Sequence, residues 1–229
     1  QTRDRLVSSS LHYLNPPADD EKANDPETLQ RHTRFVFDNL PNLTKRIEHI
    51  KQLRQAILEL AVRGKLVEQD PNEESASELL LRILKETASV TNEQKIKGGR
   101  LSAIPHPKGS PYKLPENWKW TTLGQTVNAH FGGGTPSKNN PAYWNGDIYW
   151  ASVKDVGKAK YIDETIDRIT DQGLANSSSN LISPGGLIVV TRMGLGKVSI
   201  NRVPIAINQD LRALSLSSLA SIDYHYIFL

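Results

Sequence analysis

The 229-residue chain contains no cysteine. That excludes a disulfide framework and any cysteine-ligated zinc site. No apolar run approaches the length needed to span a membrane, and no charged-then-apolar leader opens the chain. Charge of one sign is also scarce. The stretch to Leu114 carries 18 basic and 16 acidic residues, and the remainder 10 and 9. Neither half is a polycation, so any nucleic-acid role needs a local basic face built by the fold. Apolar residues make up 38% and charged residues 23%, a balance that predicts globular folding with a somewhat polar surface. The chain opens on Gln1 and closes on the apolar HYIFL. This predicts a piece of a longer soluble, cytoplasmic protein.

What is present divides by style. Residues 1–24, with NPPADDEKAND, read as loop. Asp25-Pro26-Glu27 reads as a helix start: an N-cap, a proline at the first helical position and an acid in the first turn. The helix is expected over 26–39, with Leu29, Val36 and Leu40 on one side, until Pro41 interrupts it. A second helix is expected over 44–63. Its apolar residues Ile47, Ile50, Leu53, Ile57, Leu60 and Ala61 recur in steps of three and four, and Gly64 suits the position after its end. A third is expected over 76–87, where Ser75 and Glu78 have capping-box spacing and Leu79, Leu80, Ile83 and Leu84 form its apolar side. Residues 88–113 lose periodicity and read as a linker. From residue 114 the chain turns to short strand-like runs: Ile148–Trp150, LIVV at 187–190, VSI at 198–200 and IAI at 205–207. The expected fold class is α+β, with a helical part at 1–87 and a mainly-β domain at 114–229.

Motifs for chemistry fail one by one. Gly132–Gly134 lead into Thr135-Pro136-Ser137-Lys138 without the Gly-Lys pair of a phosphate-binding loop. Gly194 and Gly196 are followed by Ser199, so the dinucleotide fingerprint fails too. Asn15-Pro16-Pro17-Ala18 lacks the aromatic residue that stacks on a flipped base. The histidines have no metal spacing. No nuclease carboxylate pattern and no G-x-S-x-G elbow occurs. The residues describe no enzyme.

Several stretches together resemble the specificity subunits of type I restriction-modification systems. They are LRQAILELAVR (53–63) with GKLVEQDPNEESASELLLRI (64–83), LPENWKWTTLG (114–124), GGGTPS (132–137), YWNGDIYW (143–150), SSSNLISPGGLIVVTR (177–192), GKVSI (196–200) and INQD (207–210). They run in order over about 43–229. The resemblance implies a central spacer of long helices followed by one target-recognition domain, incomplete at its C-terminal end. It implies a non-catalytic subunit that reads half of a bipartite target in double-stranded DNA. It would scaffold methyltransferase subunits that use S-adenosylmethionine and restriction subunits that use ATP and Mg, while binding no cofactor itself. The stripe Ile47, Ile50, Leu53, Ile57 and Leu60 is the expected partner-binding surface.

In this light the loop at 135–140 and the turn at 192–197 are expected to face DNA. Gly132–Gly134 would take positive φ and come close to a neighbour. Thr135, Ser137, Lys138, Asn139 and Asn140 would offer groups suited to phosphates and base edges, as would Lys154, Arg192 and Lys197. Asn208 and Gln209 suit base reading or the tying of loops together. A plain turn and a solvated hairpin tip are the competing readings of the two loops. The competing reading of the chain is a protein-interaction module with a helical docking surface. Limited proteolysis is expected to cut first near Lys95, Lys97 or Arg100, inside the expected linker. First cuts inside 114–229, followed by mass spectrometry, would contradict the two-part reading.

Overall fold

The computed structural model describes residues 2–14, 16, 20, 22, 25–93 and 112–229. These form two compact units. One comprises the described residues up to Ser77 together with 112–120; the other comprises Glu78–Glu93 and Thr121–Leu229. This division does not follow the composition shift at 87–114.

The first unit is helical. Its helices are α1 (Thr2–Leu14), α2 (Pro26–Asp38), α3 (Leu40–Leu43) and α4 (Ile47–Val62). The first is a correction, because residues 1–24 read as loop. Val7, Leu11 and Leu14 are spaced by four and three and are buried, which is the helical period. No capping signal precedes them, and the Pro-rich stretch behind them dominates the local composition. They form one core with Leu29, Val36, Leu43, Ala56 and Leu60.

Asp25 caps α2 by accepting a bond from the Thr28 amide at 3.0 Å, and Pro26 sits in its first turn. α4 begins with the first residue of its apolar period, three residues later than the expected start at 44, because Arg46 is extended. It ends as expected. Gly64 takes φ +67, the Gly64 amide donates to Ala61 O at 3.0 Å and the Lys65 amide to Leu60 O at 2.8 Å. This is a left-handed glycine closure. A side chain at Gly64 would also strike Pro115 Cγ at 2.6 Å.

The apolar stripe of α4 is therefore divided. Leu60 lies in this chain's own core at 2% exposure, a correction to its expected place on a partner surface. Leu53 packs against that core. Ile47 and Ile50 remain exposed at 69% and 51%.

Helix α5 (Ala76–Glu93) starts directly after Ser75, where the capping-box spacing places it. It runs past residue 87, so 88–93 is helix rather than linker; the rest of the expected linker, 94–111, lies outside the described residues. Thr87 and Ser89 look like breakers by propensity. Their hydroxyls instead bond back to Ile83 O at 2.9 Å and Lys85 O at 3.1 Å within the helix.

The second unit adds α6 (Leu123–Thr126), α7 (Asp171–Ala175), α8 (Ile222–Phe228) and nine strands among the described residues: β1 (Val127–Phe131), β2 (Trp144–Ala151), β3 (Tyr161–Ile162), β4 (Asp167–Ile169), β5 (Leu181–Ile182), β6 (Leu187–Val190), β7 (Val198–Asn201), β8 (Ile205–Ile207) and β9 (Leu211–Leu216). They build two mixed sheets, ordered β1-β9-β6-β7-β3 and β4-β2-β8-β5. Pairing is parallel for β2 with β8 and for β3 with β7, and antiparallel elsewhere.

The apolar runs follow from burial on both faces. Along β6, Ile188 and Val190 enter the core shared with Ile205 and Ile207 of β8. Leu187 and Val189 face a second cluster with Val198 and Leu214. A strand covered on both sides needs no polar alternation. In β7 the alternating residues Ser199 and Asn201 are wholly buried and fully used. Ser199 Oγ donates to Ala159 O at 2.8 Å, and Asn201 Nδ2 donates to Ser183 O and Val203 O at 2.9 Å each.

Helix α5 is fastened to β1 and to the turn after β9. Thr87 Oγ1 donates to Asn128 Oδ1 at 2.8 Å. The Glu86 carboxylate accepts Ser217 Oγ at 2.8 Å, the Ser218 amide at 2.9 Å and Ser218 Oγ at 3.0 Å. The Ser218 amide first, and with it the two hydroxyls and Asn128, hold Glu86 below the usual carboxylate range, against an opposing effect of burial second only to that of the amide. A depressed folded pKa gives stabilisation that is complete above the unfolded value and lost as pH falls through the folded one. Glu86→Gln is expected to cost about 1 kcal/mol at neutral pH, at the low end for bonds to a charged group because the site is open to water. Thermal melts of parent and variant should begin to converge as pH drops below about 4, where an unperturbed Glu takes up its proton, and meet only once the lowered folded value is passed. A constant gap down to the lowest pH would refute this role for the carboxylate.

Candidate nucleic-acid interface

The candidate site lies at one end of the strands of the β4-β2-β8-β5 sheet, and the glycine run builds it. After β1 the chain crosses the end of β8. The Gly134 amide donates to Ile207 O at 3.0 Å, while Gly134 O accepts Trp150 Nε1 at 3.1 Å and Ser179 Oγ at 2.6 Å. Gly132 O accepts Asn180 Nδ2 at 2.8 Å. A Cβ on Gly133 would overlap the carbonyls of Ile207 and Asn208, and one on Gly134 would overlap Ser178. The need is for close approach alone. None of the three glycines has positive φ, which corrects that part of the sequence reading.

The loop beyond is held in place. Thr135 Oγ1 donates to Gln209 Oε1 at 2.5 Å. Trp144 Nε1 donates to Ser137 O at 3.1 Å. Asn140 Oδ1 accepts the Ala142 amide at 3.1 Å, capping a single 3₁₀ turn over Pro141–Tyr143. The acceptor of Asn140 is therefore used by the fold. Ser137, Lys138 and Asn139 stay exposed. Trp144 and Trp150 meet edge to face at 5.2 Å between ring centres, beneath the loop rather than out on its surface. Asn145, between them, takes φ +60, and the pairing of β2 with β4 shifts register there.

Asn208 resolves toward structure. It is buried, its Oδ1 accepts the Asp210 amide at 3.1 Å and its Nδ2 donates to Asp210 Oδ2 at 3.2 Å. Gln209 is exposed and engages Thr135. Lys154 sits inside a tight turn in which Asp155 Oδ2 accepts the Ser152 amide at 2.9 Å and Ser152 Oγ at 3.1 Å. Arg192 is exposed, with Nη1 4.0 Å from Asp210 Oδ1. The stem of Lys197 runs along Gly157, where an added Cβ would lie 2.9 Å from it.

Thr135, Lys138, Lys154, Asn208 and Gln209 line one open cleft of about 720 Å³, together with Trp144, Asp167, Met193 and Asp210. Ser137, Asn139, Asn140, Arg192 and Lys197 are not in its lining. Among the described residues neither Lys138 nor Lys154 has an ion-pair partner within 4.0 Å. Sequence reasoning missed Arg212, whose guanidinium lies so close that a Cβ on Gly132 would be 2.8 Å from Nη1. The start of β9 carries the signal: Leu211 and Ala213 are buried and Arg212 between them points out.

The geometry defines a two-part α+β protein whose β-rich unit presents a cleft with lysines and amides. Residues 115–229 match the family model described as type I restriction modification DNA specificity domain. The chain belongs to that family. It is 54% identical over 74 residues to the type I restriction enzyme EcoAI specificity subunit of Escherichia coli, covering 32% of this chain and 13% of that protein. It is 37% identical over 113 residues to the EcoR124I/EcoR124II specificity subunit of the same species, covering 47% and 28%. The matches thus span less than a third of either relative. The crystal structure of an HsdS subunit from Thermoanaerobacter tengcongensis aligns over 99% of this chain and 49% of its own, at 15% identity and TM-score 0.39. Among the described residues no helix is long and apolar enough to cross a membrane.

Gly133→Ala is expected to destabilise the β-rich unit by about 1–3 kcal/mol or more, because only backbone atoms stand in the way. Denaturant unfolding measures this. A loss no larger than that of Gly132→Ala, where an added Cβ meets only the far end of the Arg212 side chain, would show that the close approach does not constrain the loop.

Proposed function

We propose that this chain reads one part of a split target in double-stranded DNA, as a non-catalytic, cytoplasmic component of a type I restriction-modification assembly. The observation that carries the reading is the convergence of Lys138 and Lys154, both without ion-pair partners among the described residues, on one cleft with Thr135 and Gln209. Lysines serve as point charges for phosphates and set register on the duplex. Amides and Arg192 can discriminate base edges, arginine by forking onto guanine O6 and N7. Asn208 takes no part as a reader; it supports the loop that carries Gln209.

The helical unit is a spacer in this proposal. Ile47 and Ile50, exposed on α4, are its docking residues for modification or restriction subunits, with Ile57 at the margin. Methyl transfer with S-adenosylmethionine and ATP-driven restriction with Mg belong to those partners. This chain supplies position and specificity and holds no cofactor.

Lys138→Ala and Lys154→Ala should each weaken binding to all sequences alike and make the dependence of log K on log salt shallower by about one unit. Arg192→Ala should cost roughly 1–3 kcal/mol on the target and relax one position. Titration of duplex DNA at several salt concentrations, with the chain assembled in its methyltransferase, separates these effects. Unchanged slopes in both lysine variants would move the DNA face elsewhere. Salt-independent association would favour a protein-interaction module.

A further inference from the structure

The tip of the β6–β7 hairpin has no part in the core. Val190 N donates to Lys197 O at 3.1 Å to close it. Its base is fixed by Thr191, whose amide and Oγ1 donate to Asp210 O at 2.8 and 3.0 Å. Everything from Arg192 to Lys197 is exposed. Met193 is 88% and Leu195 77% exposed, more than any other large apolar residue among those described. Met193 takes φ +46, a region costly for a residue with a side chain. A turn that only reversed the chain would favour Gly or Asn at 193 and a polar residue at 195. Here both solvation and backbone geometry are sacrificed to project two apolar side chains.

We infer that this tip is an apolar wedge that enters a groove of duplex DNA and parts one base step. The inference rests on the DNA-reading function proposed above. Met and Leu are among the residue types that insert between base steps. Gly194 and Gly196, at φ +130 and +85, flank Leu195 and keep the tip slim enough to enter a groove. Lys197 stands at its base for a neighbouring phosphate, beside Arg192, which is left to the base edge. Met193 also lines the cleft that holds Lys138 and Lys154, so the tip and the phosphate-binding lysines address the same duplex. Two side chains on a thin tip are far too small for a specific protein interface, which buries about 1,000 Å² or more.

The test uses the methyltransferase assembled with this chain. Bound duplexes are selected from a random-sequence library, and 2-aminopurine is then placed at successive positions of the selected site. The parent should raise fluorescence at one step, reporting lost stacking. The double variant Met193→Ser with Leu195→Ser should abolish that rise and weaken binding roughly tenfold, the scale of losing a buried apolar side chain, while keeping the salt slope. Met193→Leu should retain the rise. A rise unchanged in the double variant would overturn the wedge, as would unchanged affinity. A loss reproduced by replacing one thymine with deoxyuridine, with no unstacking at any step, would reassign the tip to a thymine methyl and overturn it too. Failed subunit assembly in the double variant would make the tip a protein contact. No DNA binding by the parent at any salt would overturn the DNA-reading function itself.

Discussion

The cleft depends on one close approach of backbone to backbone. Gly133 passes so near the carbonyls of Ile207 and Asn208 that no side chain fits between them. β8 is fully buried, with Ile205, Ala206 and Ile207 all at 0% exposure, and it is paired on both sides, to β2 and β5. It therefore cannot yield. The glycine segment rests on an immobile strand end, and its carbonyls are taken by Trp150, Ser179 and Asn180. The loop that follows starts from a fixed origin. This is how an exposed lysine such as Lys138 acquires a defined address, although nothing packs against its charge.

The surface cations fall into two kinds. Arg202 forks onto Asp163 at 2.7 and 2.6 Å and lies 4.6 Å over the ring of Tyr161. Arg202 in turn keeps Asp163 below the usual carboxylate range, by hydrogen bonding first and charge second. Lys160 meets Asp223 at 2.7 Å. These charges are satisfied within the fold. Lys138 and Lys154 have no such partners among the described residues, and Arg192 has only Asp210, at 4.0 Å. An ion already paired must release its partner before it can neutralise a phosphate, whereas an unpaired lysine releases only water. The cleft is distinguished by that difference more than by the net charge of +3, which predicts little.

Periodicity made α2 and α4 legible, and cap chemistry placed their ends at Asp25 and Gly64. The buried strands were legible because β6 and β8 are apolar on both faces. Helix α1 was not: three apolar residues at helical spacing carry little weight without a cap beside them, and its burial comes from packing against α2 and α4. The length of α5 was hidden for a related reason. Thr87 and Ser89 disfavour helix by propensity, yet Thr87 also bonds to Asn128 of β1, a contact that tertiary structure alone provides. At the site, residue types drew attention to the loops at 135–140 and 192–197, which contribute Lys138 and Met193 to the cleft's lining. Two details lay beyond the sequence. One is that Gly133 serves close approach rather than positive φ. The other is that Asn208 and Asn140 spend their acceptors on the backbone while Gln209 and Asn139 remain at the surface.

Residues 208–210 explain why these loops act together. Asn208 is buried and binds the Asp210 amide and carboxylate. Asp210 O holds Thr191 at the base of the hairpin. Gln209 holds Thr135 at the start of the glycine loop. Two segments far apart in sequence, 135–140 and 191–197, are thus fastened to one three-residue tether that follows the rigid end of β8. Ser137, Lys138 and Asn139 on one segment and Arg192, Met193 and Leu195 on the other project from that frame without belonging to it. Their identities can change with little cost to the core, because none of them is buried. A fold of this kind separates what must be kept, the glycines and the tether, from what can be altered without disturbing either.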